Sequence, residues 1–166
     1  MLSLNIDKDA IIAGVGGGVV TDLAGYIASI YKRGITLVQV PASILAMCDA
    51  AVGGKNGVNS AHFKNMIGTI YQPQAVLFDF NLLTTLPETE WVNGFAEIIK
   101  HACIKDENLF EELEKRSIAY YRNNLQETSR LIRKNVDIKS AIVVNDEFEK
   151  GDRMLLNFGH TLGHAI

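Results

Sequence analysis

One local pattern restricts this chain more than any other: an apolar run that ends in glycines and flows directly into a helical pattern. Ala10-Ile11-Ile12-Ala13-Gly14-Val15 runs into Gly16-Gly17-Gly18. A short apolar run without alternation suits a strand covered on both faces, as in a parallel sheet. A helix is expected over about residues 20–31, with Leu23, Ile27 and Ile30 as its apolar positions. The same grammar recurs. Residues 35–40 read as a second strand, stopped by Pro41, and residues 75–78 as a third after the Gln72-Pro73 turn. Residues 43–51 read as a helix ending at Gly53-Gly54. Strands alternating with helices imply an α/β layer with parallel strands.

The grammar changes at Pro87. Helical patterns cover residues 88–104, 107–121, 125–145 and 153–166, and no strand signal interrupts them. The expected architecture is α/β followed by all-α, with residues 1–87 and 88–166 as two partial domains. A three-stranded parallel sheet is small, and the last helical pattern runs to Ile166 without a capping signal, so the chain is expected to be cut at both ends. The 166 residues suffice for one ordinary domain or two small ones. With 48% hydrophobic residues a packed core is available and disorder is excluded. The net charge of −3 leaves no basic footprint for nucleic acid or an anionic membrane. No apolar run approaches the roughly 20 residues of a membrane span, and no leader pattern opens the chain, so a cytoplasmic protein is expected. Cys48 and Cys103 read as two buried, reduced thiols rather than metal ligands.

Chemistry-bearing residues gather around the turns. Gly16-Gly17-Gly18 at a strand–helix junction suits either a tight turn or a phosphate held on the helix N-terminus. It lacks the spacing of the Rossmann fingerprint. Asp22, one turn into that helix, would on its own be a solvated residue. Asp49, Gly53-Gly54-Lys55, Gly57-Val58-Asn59 and Lys64-Asn65 suggest an anion pocket. Glu97 sits among apolar neighbours and needs a partner. Glu97–Lys100 has helix salt-bridge spacing, and Glu97–His101 has the spacing of a metal pair. His160 and His164, at i and i+4 after Arg153 and Asn157, suit either a chelate or two ordinary histidines. Lys139 shares a stripe with Ile132, Val136 and Val143, where a lysine usually snorkels outward.

Taken in order, the segments GGGVVTDLAGYIA, KRGI, VPASILAMCDAAVGGKNGVN, KNMIGTIYQP, GFAEIIKHA and DEFEKGDRMLLNFGHTLGHAI resemble the 3-dehydroquinate synthase family of sugar-phosphate cyclases. The resemblance runs from about Asp9 to Ile166. It implies a partial Rossmann-like nucleotide-binding domain, a partial helical metal- and substrate-binding domain, and an active site in the cleft between them. It implies NAD and a divalent metal, zinc or cobalt, as cofactors. Gly17, Gly18, Asp22, Ala42, Ser43, Lys55 and Lys64 match cofactor-binding positions. Asp49, Lys64, Asn65, Lys139 and Arg153 match substrate-binding positions. Lys55, Lys100, Asn157 and His164 match catalytic positions, and Glu97 and His160 match metal ligands. His101 matches no ligand position, and His164 is not a ligand in the family.

The implied reaction converts 3-deoxy-D-arabino-heptulosonate 7-phosphate to 3-dehydroquinate and phosphate, a step toward aromatic amino acids. It is a transient oxidation, phosphate elimination, re-reduction and ring closure. The implied partner is this small sugar acid phosphate, and the parent enzyme would be a homodimer. Pro41-Ala42-Ser43 departs from the family's usual Pro-Thr-Thr and loses one hydroxyl where the cofactor would lie. Asp49-Ala50-Ala51 stands where Asp-Ser-Ser is common. The third metal ligand and the ribose-holding acids would lie outside this chain, which is therefore expected to be inactive alone. The other readings are a different sugar-phosphate cyclase, a metal-dependent polyol dehydrogenase of the same fold, or an inactive fragment.

Overall fold

The computed structural model describes residues 6–59 and 66–159. Strand β1 (Ile11–Gly16) leads through the glycine turn into helix α1 (Gly18–Ile30), and β2 (Thr36–Pro41) returns beside β1. Both β1–β2 and β2–β5 (Ala75–Val76) pair parallel, in the order β1-β2-β5. The parallel layer is therefore as the sequence reading had it. The third strand is shorter than residues 75–78, though Leu77 N–H still donates to Gln39 O at 2.8 Å.

The buried face of α1 differs from the expected one. Leu23 and Ile30 are 43% and 54% exposed, and Ile27 is half-buried. Thr21, Ala24, Gly25 and Ala28 are buried instead. The helix lies too close to its neighbours for larger side chains there. A Cβ built on Gly14 of β1 would lie 2.7 Å from Ala24 Cβ, and one on Gly25 would lie 1.8 Å from Asn56 Oδ1.

Asn56 belongs to an antiparallel hairpin of β3 (Lys55–Val58) and β4 (Ile67–Ile70), read from sequence only as loop. Its Nδ2 donates to Gly54 O at 2.7 Å and Tyr71 O at 2.9 Å, tying the hairpin's base to the chain on both sides. The expected helix over residues 43–51 is present but widens: Ala51 N–H reaches Ala46 O at 3.0 Å, an i→i+5 bond. The wide turn, Ala46–Ala50, carries Asp49. Such turns recur at functional sites.

The helices after Pro87 are α2 (Glu88–Lys105), α3 (Glu107–Glu114), α4 (Ile118–Arg122) and α5 (Leu125–Asn145). Each short break supplies a cap. Asp106, Ser117 and Asn124 accept from Leu109, Tyr120 and Glu127 N–H at 2.9, 3.2 and 3.2 Å. The helix expected over residues 107–121 is thus two helices, because the Ser117 hydroxyl starts a new one. Residues Asp152–Asn157 form tight 3₁₀ turns where an α-helix was expected from Arg153.

The larger core spans Pro87. Ile44, Met47 and Cys48 pack with Trp91, Phe95 and Ile98 of α2 and with Leu131 and Ile132 of α5. The wide turn is thereby seated against the helices. Cys48 is buried as expected, but Cys103 is exposed, because it falls on the outward face of α2 beside buried Ala102. No helix among the described residues is long and apolar enough to cross a membrane.

Candidate active site

A cleft of about 890 Å³ opens between α1, the β3–β4 hairpin, the wide turn, α2 and α5. Asp22, Asp49, Lys55, Lys100, Lys139, Arg153 and Asn157 all line it. Seven positions singled out in the sequence, from six separate segments, therefore share one wall. Gly17, Gly18, Ala42 and Ser43 are not among the residues that line the cleft; they follow the C-terminal ends of β1 and β2, where open α/β sheets hold ligands. Ala42 N–H donates to Gly16 O at 2.8 Å. A Cβ on Gly17 would lie 3.6 Å from Ser43 Oγ, and one on Gly18 would lie 3.4 Å from Ala50 Cβ. The Ser43 hydroxyl accepts from Ala46 N–H at 3.2 Å and so caps the turn that carries Asp49.

The cations here are buried: Lys100, Lys139 and Arg153 are 9%, 5% and 2% exposed. A buried cation needs a partner, and each has one. Lys139 Nζ donates to Asp49 Oδ1 and Asp49 O, both at 2.5 Å. It does not snorkel outward, because the Asp49 carboxylate and carbonyl meet it directly. Lys100 pairs with the Glu97 carboxylate, the helix salt bridge that the spacing allowed. The Arg153 guanidinium donates to Gly53 O at 2.8 Å and to Glu147 O. The Asp146 carboxylate accepts from the backbone N–H groups of Lys150, Gly151 and Arg153 at 2.8, 2.7 and 3.1 Å and fixes the loop before Arg153.

These pairings tune the acids. Burial raises Asp49, but the charge and hydrogen bond of Lys139, with Lys100, outweigh it and hold the carboxyl below its ordinary range. Burial and then the Asp49 charge push Asp22 up to about 6, with Lys139 opposing. Burial lowers Lys139, against the pull of Asp49.

Two groups gained no role from sequence. Glu149 lies in the cleft wall with a left-handed backbone (φ 56°). Its carboxylate pairs with Lys55 and accepts from Asn157 Nδ2 at 2.8 Å. Its place between Lys55 and Asn157 was not visible, since Lys55 is 94 residues away. Asn135 is the other. It is fully buried, and its Oδ1 meets Nδ1 of buried His101 at 2.7 Å. Asp49, Glu97 and His101 each offer a ligand atom within 4.8 Å of the others. Among the described residues this is the set that could hold a metal ion. Lys64, Asn65, His160 and His164 lie outside the described residues, and with them the expected meeting of Glu97 and His160.

Residues 1–93 match the family described as 3-dehydroquinate synthase N-terminal, and residues 94–166 match 3-dehydroquinate synthase C-terminal. The 3-dehydroquinate synthase of Halalkalibacterium halodurans is 47% identical over 165 residues, 99% of this chain and 45% of that protein. That of Dictyoglomus thermophilum is 46% identical over 96% of this chain and 45% of that protein. The chain thus spans a little under half the length of these relatives. A solved 2-epi-5-epi-valiolone synthase from Streptomyces hygroscopicus, with NAD+ and Zn2+ bound, superposes with a TM-score of 0.89 at 34% identity, over 96% of this chain and 45% of that one. A 2-deoxy-scyllo-inosose synthase complexed with carbaglucose-6-phosphate, NAD+ and Co2+ gives 0.86 at 27% identity, over 99% and 46%. The match covers both halves of the sequence in order, and the chain belongs to the 3-dehydroquinate synthase family.

Proposed function

We propose that this chain forms the cofactor-, metal- and substrate-holding centre of a 3-dehydroquinate synthase, a carbon–oxygen lyase that eliminates phosphate and closes a carbocycle. The observation that carries this reading is the convergence of Lys100, Lys139 and Arg153, all buried, with Asp22, Asp49, Lys55 and Asn157 on one cleft. The proposed division is a nucleotide part, residues 1–87, and a helical part, residues 88–166.

The donor chemistry fits both cofactors. Glu97, with Asp49 and His101 near it, supplies oxygen and nitrogen donors suited to zinc or cobalt, and His160 is the proposed second family ligand. A divalent cation there supplies Lewis acidity to a bound hydroxyl or carbonyl oxygen, and NAD+ supplies the hydride acceptor. Gly17 and Gly18 open α1, whose free N–H groups suit a cofactor phosphate, with Ala42 and Ser43 following β2 beside them, and Asp22 offers an acceptor to the cofactor from the first turn of the helix.

The remaining roles fall to the charged walls. Lys100 and Lys139 are balanced by Glu97 and Asp49, and each ammonium can exchange its carboxylate for a substrate anion. Arg153, fixed by two backbone carbonyls, presents a rigid cation toward the substrate carboxylate. Lys55, half exposed at the rim, meets the phosphate first, with Lys64 and Asn65 as further anion contacts. Asn157 and His164 orient the reacting hydroxyls.

The test is phosphate release from 3-deoxy-D-arabino-heptulosonate 7-phosphate by the complete enzyme that carries this segment, with NAD+ and zinc or cobalt. Turnover with that substrate, and none with a sedoheptulose or glucose phosphate, supports the reading. The reverse preference would assign the chain to another cyclase of the superfamily. The 166-residue chain alone is expected to release no phosphate, since a catalytic zinc normally takes three protein ligands and the family match supplies two here.

A further inference from the structure

The loop between α5 and the 3₁₀ turns at Asp152–Asn157 is organised by one side chain. Asp146 caps the C-terminus of α5, and its own N–H donates to Ile142 O at 3.1 Å and Val143 O at 3.2 Å. For the helix itself a carboxylate is misplaced there, because that end carries partial negative charge. Its partners lie ahead of it in the chain. Oδ1 accepts from Lys150 N–H at 2.8 Å, and Oδ2 accepts from Gly151 and Arg153 N–H at 2.7 and 3.1 Å. Three charge-assisted bonds to backbone hold a loop to one conformation. The bond from Lys150 above all, with those from Gly151 and Arg153, keeps the carboxyl below its ordinary range. The loop needs such a hold, because Glu149 within it has a left-handed backbone (φ 56°), which is unfavourable for any residue but glycine.

Arg153 depends on this loop at both ends. Its N–H is one of the three held by Asp146. Its guanidinium, in a residue only 2% exposed, donates to Gly53 O at 2.8 Å and to Glu147 O. Glu147 directly follows Asp146, so the carboxylate that holds the Arg153 backbone also sets a carbonyl that aims its side chain. Gly53 makes room from the other side, since a Cβ built there would lie 2.9 Å from Arg153 Nη2. These bonds use two of the five guanidinium N–H donors, and the others remain available to a ligand in the cleft.

We propose that Asp146 is the positioning residue for Arg153: its carboxylate fixes the loop so that the guanidinium stands ready for the substrate carboxylate before substrate binds. This rests on the reading of Arg153 as the contact to that carboxylate, and it gives a role to a position that the family resemblance leaves without one. A preset arginine loses little freedom on binding, so more of the bond appears as affinity. With the loop released Arg153 shifts, and a displacement of about 1 Å is enough to cost up to about 100-fold. The contact is made equally in the bound substrate and the transition state, so the loss falls on KM and spares kcat.

Steady-state phosphate release from 3-deoxy-D-arabino-heptulosonate 7-phosphate by the complete enzyme tests this, with Asp146→Ala, Arg153→Lys and the double variant. Asp146→Ala is expected to raise KM about 10- to 100-fold and to change kcat by less than about threefold. Asp146→Asn keeps one acceptor oxygen without the charge and should fall between, at about 3- to 10-fold. A merely structural aspartate would lower the melting temperature and the active fraction and leave KM alone. In the double variant KM should stay within about threefold of Arg153→Lys, because no guanidinium remains to be aimed, and fully additive effects overturn the proposal. An unchanged KM in folded Asp146→Ala, beside a raised KM in Arg153→Lys, sinks this inference only. An unchanged KM in Arg153→Lys sinks the carboxylate reading of Arg153 and the inference with it. Should the Asp146 variants fail to fold, amide hydrogen exchange on the unmodified, substrate-free enzyme decides. Gly151 and Arg153 N–H exchange slowly if the loop is preset, and exchange at the rate of open chain overturns the proposal.

Discussion

Gly94 is the point where α2 touches the segment leading to Asp49, and replacing it with alanine tests whether that contact sets the site. A Cβ built there would lie 2.4 Å from Ile44 Cβ, 2.5 Å from its Cγ2 and 2.9 Å from Leu45 N. Ile44 is fully buried, so its side chain has nowhere to go, and the third contact is backbone. The helices must part by roughly the shortfall from an ordinary contact of about 3.5–4 Å, that is by about 1 Å. Overpacking of this kind costs about 1–3 kcal/mol. Alanine returns about 0.8–1 kcal/mol through its better helix propensity. The net expectation is a loss of up to about 2 kcal/mol, with roughly 2–4 °C of melting temperature per kcal/mol. Glu97 lies three residues along the same face, so parting α2 from residues 44–49 also widens the gap between Glu97 and Asp49. Urea unfolding at pH 7, with cobalt titration beside it, measures both effects. Gly17→Ala is the control: its Cβ would sit 3.6 Å from Ser43 Oγ at an ordinary negative φ, so stability should hold. If Gly94→Ala matches or exceeds the parent in stability, the close packing at Ile44 does not exist and the reasoning fails.

Three further outcomes follow from the cleft. Asp22, raised to about 6 from an ordinary value of 3.8, holds its proton more tightly folded than unfolded, so its contribution to stability falls as pH rises through that window. Asp22→Asn should therefore gain on the parent between about pH 4.5 and 7 in paired urea titrations, and a difference flat with pH would contradict the shift. Glu149→Gln frees Lys55, and inorganic phosphate should bind about 2- to 10-fold tighter by calorimetry, with under about 1 kcal/mol of stability lost because Lys55 is half exposed; weaker binding would mean that Glu149 orders the site rather than blocking it. Ser117→Ala removes the cap between α3 and α4 and should cost about 1 kcal/mol in thermal unfolding, without change in metal affinity.

The elements that sequence revealed are those whose cause is local. β1, β2, α2 and α5 follow from apolar runs, periodicity and breaks, and the expected starts at residues 88 and 125 agree with the structure. The face of α1 did not follow, because periodicity marks where large apolar residues lie and not how near the sheet comes. Gly14 and Asn56 leave room only for Ala24 and Gly25, so the larger Leu23 and Ile30 are turned outward. The hairpin was hidden for a similar reason. β3 and β4 are four residues each, and their paired Gly57 and Gly68 carry no strand signal.

The site was half legible on the same principle. Motifs named Asp49, Lys100, Lys139 and Arg153, but not what each would face. Lys139 shows the difference. Its own helix offers an apolar stripe, and on that alone the ammonium belongs at the edge. Its burial becomes tolerable only through Asp49, 90 residues earlier and carried on a turn packed into the helical core by Ile44, Met47 and Cys48. The Lys139–Asp49 pair therefore depends on the packing of the two halves, and so does the low pKa of Asp49. A change that loosens the Ile44 contact should be felt at Lys139 without touching it. That coupling ties the stability of this core to the chemistry of the cleft.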